Sequence, residues 1–546
     1  MSVNPRLAEL YKELELTEGY TDLYPHQWEA VEWAKTRSEP YLFINAPTGS
    51  GKTLLLTTLG QESEAVWTYV VHTIMLQRQV ATTFKDIPVF MGRGNFDCLI
   101  GDLTHPFASK VTAAEAICAM PDYDAGDCEH DPSELATGHL CGYFEQAVRA
   151  MSSSARVVNY SMLLSYPPLV TRSRNRNHRV TDLLLCDEAH NVEEAVCSST
   201  SLTLAQRTLQ RMGIKLPKYR DILDWAGWAN RVSDTVVSQS KVPDLGFRNL
   251  VRTVRALQVI TPETAGEWLI EEVPGGIAFS PVWGAPFVME RLLGHKEAPD
   301  SGNLIEALRG PAVGVKRAVF TSATLMGAEY IAETLGLPDG SWAYLDMPSV
   351  FPPASRPINY APVETMNASK IATPEGRAKM QDAVDDLIEF YVRAGRPWGI
   401  IHAVSNKYRD FLLTESRWRG IMVSTPDDHA KNVEKGEASV LVAANLTEGW
   451  DGRDNLCRFV IMPKVPFPNL GDKRTKIRME EDPRSFDHRA LVAVVQGAGR
   501  GVRHTEDYAD TWILDGAWNM LYKKRKSWLP QSFTDAYHHS VERPTI

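Results

Sequence analysis

Short apolar runs recur along the chain, each closed by a turn or a helix signal. YLFINA (41–46), AVWTYVVHT (65–73), DLLLCDEAH (182–190) and RAVFTSATL (317–325) predict buried strands of a parallel sheet. Between them the apolar positions shift to helical spacing, as in TLLLTTLGQ after Lys52 and TIMLQRQVATTF (73–84). Strand and helix patterns that alternate this way predict an α/β layer architecture. A second series begins near residue 385 with WGIIHAV, GIMVST, ASVLVAAN, RFVIMP and DTWILD, and predicts a second α/β domain. Two stretches break the first series. Residues 92–145 carry few strand signals, and residues 201–275 read as helical, with YRDILDWAGWANRVSDTVV and FRNLVRTVRALQVI near a 3.6 period.

Composition narrows the setting. The 546 residues are 44% hydrophobic and 23% charged, the values of an ordinary globular protein. The N-terminal MSVNPRLAELYKELEL is a charged amphipathic helix without an apolar signal core. No run approaches the roughly 20 apolar residues that span a bilayer, so a cytoplasmic protein with no membrane contact is expected. Seven cysteines argue against a secreted disulfide scaffold, and clustered cysteines in a reducing compartment more often hold metal. The net charge of −10, from 58 basic and 68 acidic residues, gives no global attraction to nucleic acid. A local basic channel remains compatible with it, because binding depends on local phosphate contacts. The basic runs RSRNRNHR (172–179) and KKRK (523–526) read as solvated surface.

The candidate chemistry lies in two motifs. APTGSGKT (46–53) follows a strand and opens a helix, the context of a phosphate-binding loop. Backbone N–H groups of Gly49, Ser50 and Gly51 would cradle phosphate, Lys52 would reach the β- and γ-phosphates, and Thr53 would ligate Mg²⁺. Ala46 stands where the strict pattern has glycine. LLLCDEAH (183–190) then places two carboxylates at the carboxyl end of an apolar strand, where open α/β sheets bind ligands. Asp187 would hold Mg²⁺ and Glu188 would polarise the attacking water. Together the motifs predict ATP hydrolysis.

From DEAH onward the sequence resembles superfamily 2 helicases. SATL (322–325) looks like the coupling motif of the first motor domain, LTEGWDG (446–452) like the fifth motif and QGAGRGVR (496–503) like the sixth. The resemblance implies an ATP and Mg²⁺ site drawn from Thr48–Thr53, Asp187, Glu188, Asp451, Gln496, Arg500 and Arg503. Arg500 and Arg503, three apart near one helix face, would reach the nucleotide as arginine fingers, worth on the order of 10³–10⁵ in rate elsewhere. YPHQ (24–27) resembles the upstream motif whose glutamine, here Gln27, contacts adenine.

Further stretches narrow the resemblance to the XPD/DinG family of iron–sulfur helicases. GRGNFDC (92–98), CGYFEQAVRAMSSSARVVNYSMLL (141–164), DEAHNVEEAV (187–196), SVFPP (349–353) and VPFPN (465–469) echo family segments, and SATL leans toward the DinG branch. The family implies two RecA-like motor domains, the first interrupted by a cluster domain and a helical arch. The first motor domain would comprise residues 1–91, 146–200 and 276–345, with the cluster domain at 92–145, the arch at 201–275 and the second motor domain at 346–546. By resemblance, Cys98, Cys118, Cys128 and Cys141 would hold a [4Fe–4S] cluster; Cys98 and Cys141 match family positions directly, and the middle pair are the remaining cysteines of the segment. Four thiolates suffice for such a cluster, and spacings of 19, 9 and 12 residues are unlike a C-x₂-C zinc pattern, although zinc and free thiols stay open. Cys186, Cys197 and Cys457 read as small buried hydrophobes.

The family reading is a monomeric 5′→3′ helicase and translocase on single-stranded and forked DNA. Arg93, Asn95 and Phe96, with Thr73 and Gln77, are its candidate DNA contacts; Phe96 would equally serve to pack the cluster. The alternative is an accessory ATPase that works with an RNA-guided, mobile-element or repair complex. Relatives of that kind tend to lack the four cysteines.

Overall fold

The computed structural model describes residues 4–11, 21–84, 86–99, 112–114, 116, 118, 128, 130, 140–171, 179–238, 245–262, 264–265, 268–295, 314–444 and 452–544. In chain order the first part contributes β1 (Tyr41–Asn45), β2 (Trp67–Val71), β3 (Val89–Phe90), β4 (Ala155–Asn159) and β5 (Leu183–Cys186). An inserted unit follows with β6 (Leu202–Ala205), β7 (Trp268–Val273) and β8 (Gly276–Pro281). The chain then returns through β9 (Arg317–Ser322) and β10 (Trp342–Asp346). The second part carries β11 (Ile358–Glu364), β12 (Trp398–His402), β13 (Met422–Val423), β14 (Ser439–Ala443), β15 (Phe459–Met462), β16 (Asp510–Asp515) and β17 (Tyr537–His538).

Two seven-stranded sheets result, in the orders β10-β1-β9-β5-β2-β4-β3 and β13-β14-β12-β15-β16-β11-β17. Every strand pair in both is parallel. Parallel sheets need both faces covered, and unbroken apolar runs are the sequence form of that need. In β5, Leu184 and Cys186 join the core on one face, while Leu183 and Leu185 join the core on the other. Ile400 and Ile401 of β12 divide the same way between the two cores of the second sheet. These are two RecA-like α/β domains.

The insertion differs in part from its helical expectation. Helices Ile222–Ser238 and Leu245–Gln258 form as the period predicts, around Trp225, Trp228, Leu250 and Val254. They rest, however, on a three-stranded antiparallel sheet, β6-β8-β7. Its strands are half-buried, so they lack the continuous apolar run that marks strands elsewhere in the chain.

The topology places the chemistry. Strand β9 lies between β1 and β5. The loops after these three strands hold the phosphate loop, SATL and DEAH, and all three emerge side by side at the carboxyl edge.

Candidate active site

The phosphate loop turns twice through left-handed backbone, Gly49 at φ 79° and Gly51 at φ 74°, and its helix begins at Lys52. Only glycine takes these angles without strain. Ala46 is fully buried in the core, and its N–H donates to the Ser322 carbonyl at 2.9 Å. The departure from the glycine pattern thus falls at a packing position, away from the phosphate-facing turn.

Asp187 leaves the end of β5 buried, and its Oδ2 accepts a hydrogen bond from the Tyr69 hydroxyl at 2.9 Å. The Thr53 side chain stands beside the same hydroxyl, so β2 lies next to both candidate Mg²⁺ ligands. Burial and the adjacent Glu188 push the Asp187 carboxyl up, while Lys52 and Tyr69 pull it back. A divalent cation at this point would reverse the upward pressure and keep the carboxylate ionised. Glu188 has left-handed backbone, φ 46°, an unusual state for a residue with a side chain. Its Oε1 lies 3.6 Å from Lys52 Nζ, and its Oε2 accepts from Ser322 Oγ at 3.3 Å.

His190 completes a relay that sequence reading did not assign. Its Nδ1 lies 2.7 Å from Ser322 Oγ, and its Nε2 lies 2.8 Å from the Gln496 carboxamide nitrogen. With that carboxamide donating, Nε2 accepts and Nδ1 faces the Ser322 hydroxyl. Glu188, Ser322, His190 and Gln496 therefore form one hydrogen-bonded chain from the first domain to the second. Nothing local marks Tyr69 for its role, and it reads as one more residue of a buried strand, whereas Ser322 opens the SATL stretch that the resemblance reads as a coupling motif.

The sixth motif closes over the phosphate loop. The helix Arg484–Ala498 ends before Arg500 and Arg503, because the glycines of QGAGRG break it. The two arginines thus sit on a loop, where a helix face was expected. Arg500 is 8% exposed and close enough to His402 to depress it, and Arg503 Nη1 donates to the Gly499 carbonyl at 3.2 Å. A methyl group at Gly499 would stand 3.1 Å from Thr48 Oγ1. One at Gly49 would stand 2.5 Å from the Phe351 ring and 3.7 Å from the Arg503 carbonyl. Phe351, from SVFPP, is therefore a further wall of the site that sequence reading left without a role. Asp451 lies outside the described residues.

Beyond the nucleotide site the two domains meet through charge. Arg478, 4% exposed at its side chain, pairs with Glu193 through Nη2–Oε1 at 2.5 Å and Nη1–Oε2 at 3.0 Å. Arg474 holds both Glu194 oxygens at 3.0 Å. Glu193 and Glu194 open the helix that directly follows DEAH.

The candidate DNA contacts separate. Gln77 is fully buried and donates to the Phe90 carbonyl at 3.2 Å, so no strand can reach it; helical spacing alone could not distinguish its face. Thr73 caps its helix by accepting from Leu76 N–H at 3.3 Å. Asn95 is exposed. Phe96 packs edge-on to Tyr143, with ring centroids 6.1 Å apart. The Arg93 guanidinium stands 4.2 Å over Tyr143 and donates to Cys118 Sγ at 2.9 Å. Cys118, Cys128 and Cys141 are buried in one apolar core, and Cys98 packs against it.

Two family profiles match the chain, one described as Helicase C-terminal domain over residues 405–536 and one as DEAD_2 over residues 123–209. Among curated proteins, the ATP-dependent DNA helicase CHL1 of Saccharomyces cerevisiae is 29% identical over 160 residues, 24% of this chain and 19% of that protein. The Caenorhabditis elegans ATP-dependent DNA helicase chl-1 is 27% identical over 162 residues, 28% of this chain and 19% of that protein. The aligned part thus spans about a fifth of these relatives' length. Two solved structures share the fold. An XPD helicase superposes with TM-score 0.59 at 16% identity, over 93% of this chain and 98% of the other. S. tokodaii Xpd4 does so with TM-score 0.54 at 13% identity, over 92% and 97%. The chain thus shares the two-domain fold of these XPD structures, and its second domain matches the Helicase C-terminal domain model while residues 123–209 match DEAD_2.

Proposed function

We propose that the protein is an ATP-hydrolysing DNA helicase that translocates 5′→3′ along single-stranded DNA and opens forked duplexes. The observation that carries this reading is the chain Glu188–Ser322–His190–Gln496. It links the group that would activate water to the second domain, so a change at the γ-phosphate alters the contact between domains. ATP drives such a motion only if it binds the closed arrangement better than the open one. Lys52 and Thr53 would hold the phosphates and Mg²⁺ with Asp187, and Arg500 and Arg503 would approach from the far side.

We read the four cysteines as the ligands of a [4Fe–4S] cluster, with zinc as the alternative. Sulfurs on one tetrahedral zinc lie about 3.8 Å apart, given Zn–S bonds of about 2.3 Å. Among the described residues no three of these sulfurs fall within 4.8 Å of one another, although Cys118 feels the charge of both Cys128 and Cys141. Four thiolates suffice for a four-iron cluster. Bound there, it would crosslink the chain from Cys98 to Cys141.

Unwinding assays on duplexes with a single 5′ or 3′ tail test the motor. Unwinding from the 5′ tail, DNA-stimulated ATP hydrolysis and loss of both in Lys52→Ala are expected. Unwinding from the 3′ tail alone would reject the polarity. Iron and sulfide analysis of anaerobically prepared protein tests the cluster: about four irons are expected, and zinc without iron would reject it while leaving the motor intact.

A further inference from the structure

Gln27 belongs to YPHQ, the stretch expected to touch the base. Its side chain is 2% exposed and fully engaged elsewhere. Nε2 donates to two phosphate-loop carbonyls, Ser50 O at 2.8 Å and Gly51 O at 3.0 Å, and Oε1 accepts the Tyr24 N–H at 2.7 Å. These partners leave one orientation for the carboxamide, because a carbonyl only accepts and a backbone N–H only donates. Both amide hydrogens are therefore used. Recognition of a purine edge by a carboxamide needs one of them as a donor.

The carbonyls it holds explain what the residue does instead. In a trans peptide the C=O and the following N–H point in opposite directions. Holding Ser50 O and Gly51 O on one side aims the N–H groups of Gly51 and Lys52 to the other. Those are amides that cradle phosphate in such a loop. The fit is close: a methyl group at Gly51 would lie 2.4 Å from Gln27 Nε2.

We propose that Gln27 is a positioning residue of the phosphate loop and takes no part in selecting the base. The proposal rests on the ATPase reading above and deepens it: this part of the nucleotide site recognises the triphosphate. The test uses inorganic tripolyphosphate, which has no base, beside ATP and GTP. In Gln27→Ala, and in the isosteric Gln27→Glu, which keeps the shape and loses both donors, kcat/KM for ATP and for GTP falls by one common factor of about ten. The Kd of tripolyphosphate, measured by calorimetry, rises by a similar factor, and the ATP:GTP ratio holds within about twofold. Thermal melting confirms that the variants fold. A changed ATP:GTP ratio with unchanged tripolyphosphate binding would overturn the proposal. The calorimetric arm decides it even in a chain that hydrolyses no nucleotide, a result that would reject the ATPase reading alone.

Discussion

At the residue scale the site depends on groups that support the chemistry from one layer back. Tyr69 holds Asp187 through its hydroxyl, so it orients a candidate Mg²⁺ ligand without facing the nucleotide. Loss of such a support typically weakens metal binding about 10–100-fold. In Tyr69→Phe the Mg²⁺ concentration for half-maximal ATP hydrolysis should rise at least about tenfold, with much of kcat recovered at saturating Mg²⁺. An unchanged Mg²⁺ titration would remove Tyr69 from the site. Glu188→Gln separates binding from chemistry. Hydrolysis should fall by about 10² or more while ATP still binds, measured by single-turnover kinetics and nucleotide titration.

At the scale of elements, the helix Lys473–Glu481 is a polar seam between the domains. Arg478 is buried there, bonded to Glu193 and to the Val282 carbonyl at 2.6 Å, and stands 4.7 Å over the Trp283 ring. Arg484, 40% exposed, pairs with Glu333, 53% exposed. The geometry is similar and the consequence differs, because removal of one partner from a buried pair strands the other without water. Arg478→Ala should cost about 3–5 kcal/mol, and Arg484→Ala about 0–1 kcal/mol, read from denaturant midpoints. Equal losses would show that the seam is solvated. Helix ends obey the same local logic. The glycines of QGAGRG predict a break, yet only the folded chain shows that the break turns Arg500 and Arg503 onto a loop beside the phosphate turn.

At the scale of the whole molecule, stability carries a pH signature. Burial, helped by the Arg500 charge, pushes His402 down to about 4, and burial with nearby His190 does the same to His488. Both are neutral when folded, whereas in the unfolded chain they titrate near 6.5. The unfolded state therefore binds more protons between these values, and stability falls as pH drops from about 6.5 toward 4. Each histidine contributes about 1.4 kcal/mol per pH unit across that window. Buried Asp346 and Asp515, whose carboxyls are raised by burial, act in the opposite sense at the acid end. A difference measurement isolates the histidine. Denaturant midpoints should drop less between pH 7.5 and 5.5 in His488→Gln than in the unsubstituted chain, and an equal drop would sink the assignment.

What could be read from the linear chain and what could not divide along physical lines. YLFINA, DLLLCDEAH and WGIIHAV announce central strands because a strand covered on both faces needs an unbroken apolar run. Strands at edges or with buried polar groups gave no such sign. Strand β4 carries the fully buried Arg156 as its second residue, β10 is only half-buried, and β6 alternates buried and exposed positions. The phosphate loop and the paired carboxylates are local motifs, since each acts within a few residues of itself, and sequence alone determined them. Tertiary structure decided the rest. His190 meets Gln496 across 306 positions, and Gln27 spends its amide on the phosphate loop 23 and 24 positions away. A hydrogen bond has a reach of about 3 Å, and whether two distant residues come within it depends on how the sheets stack and close. That is why the chain's chemistry could be named from its motifs, while the partners that aim it became visible only once the chain was folded.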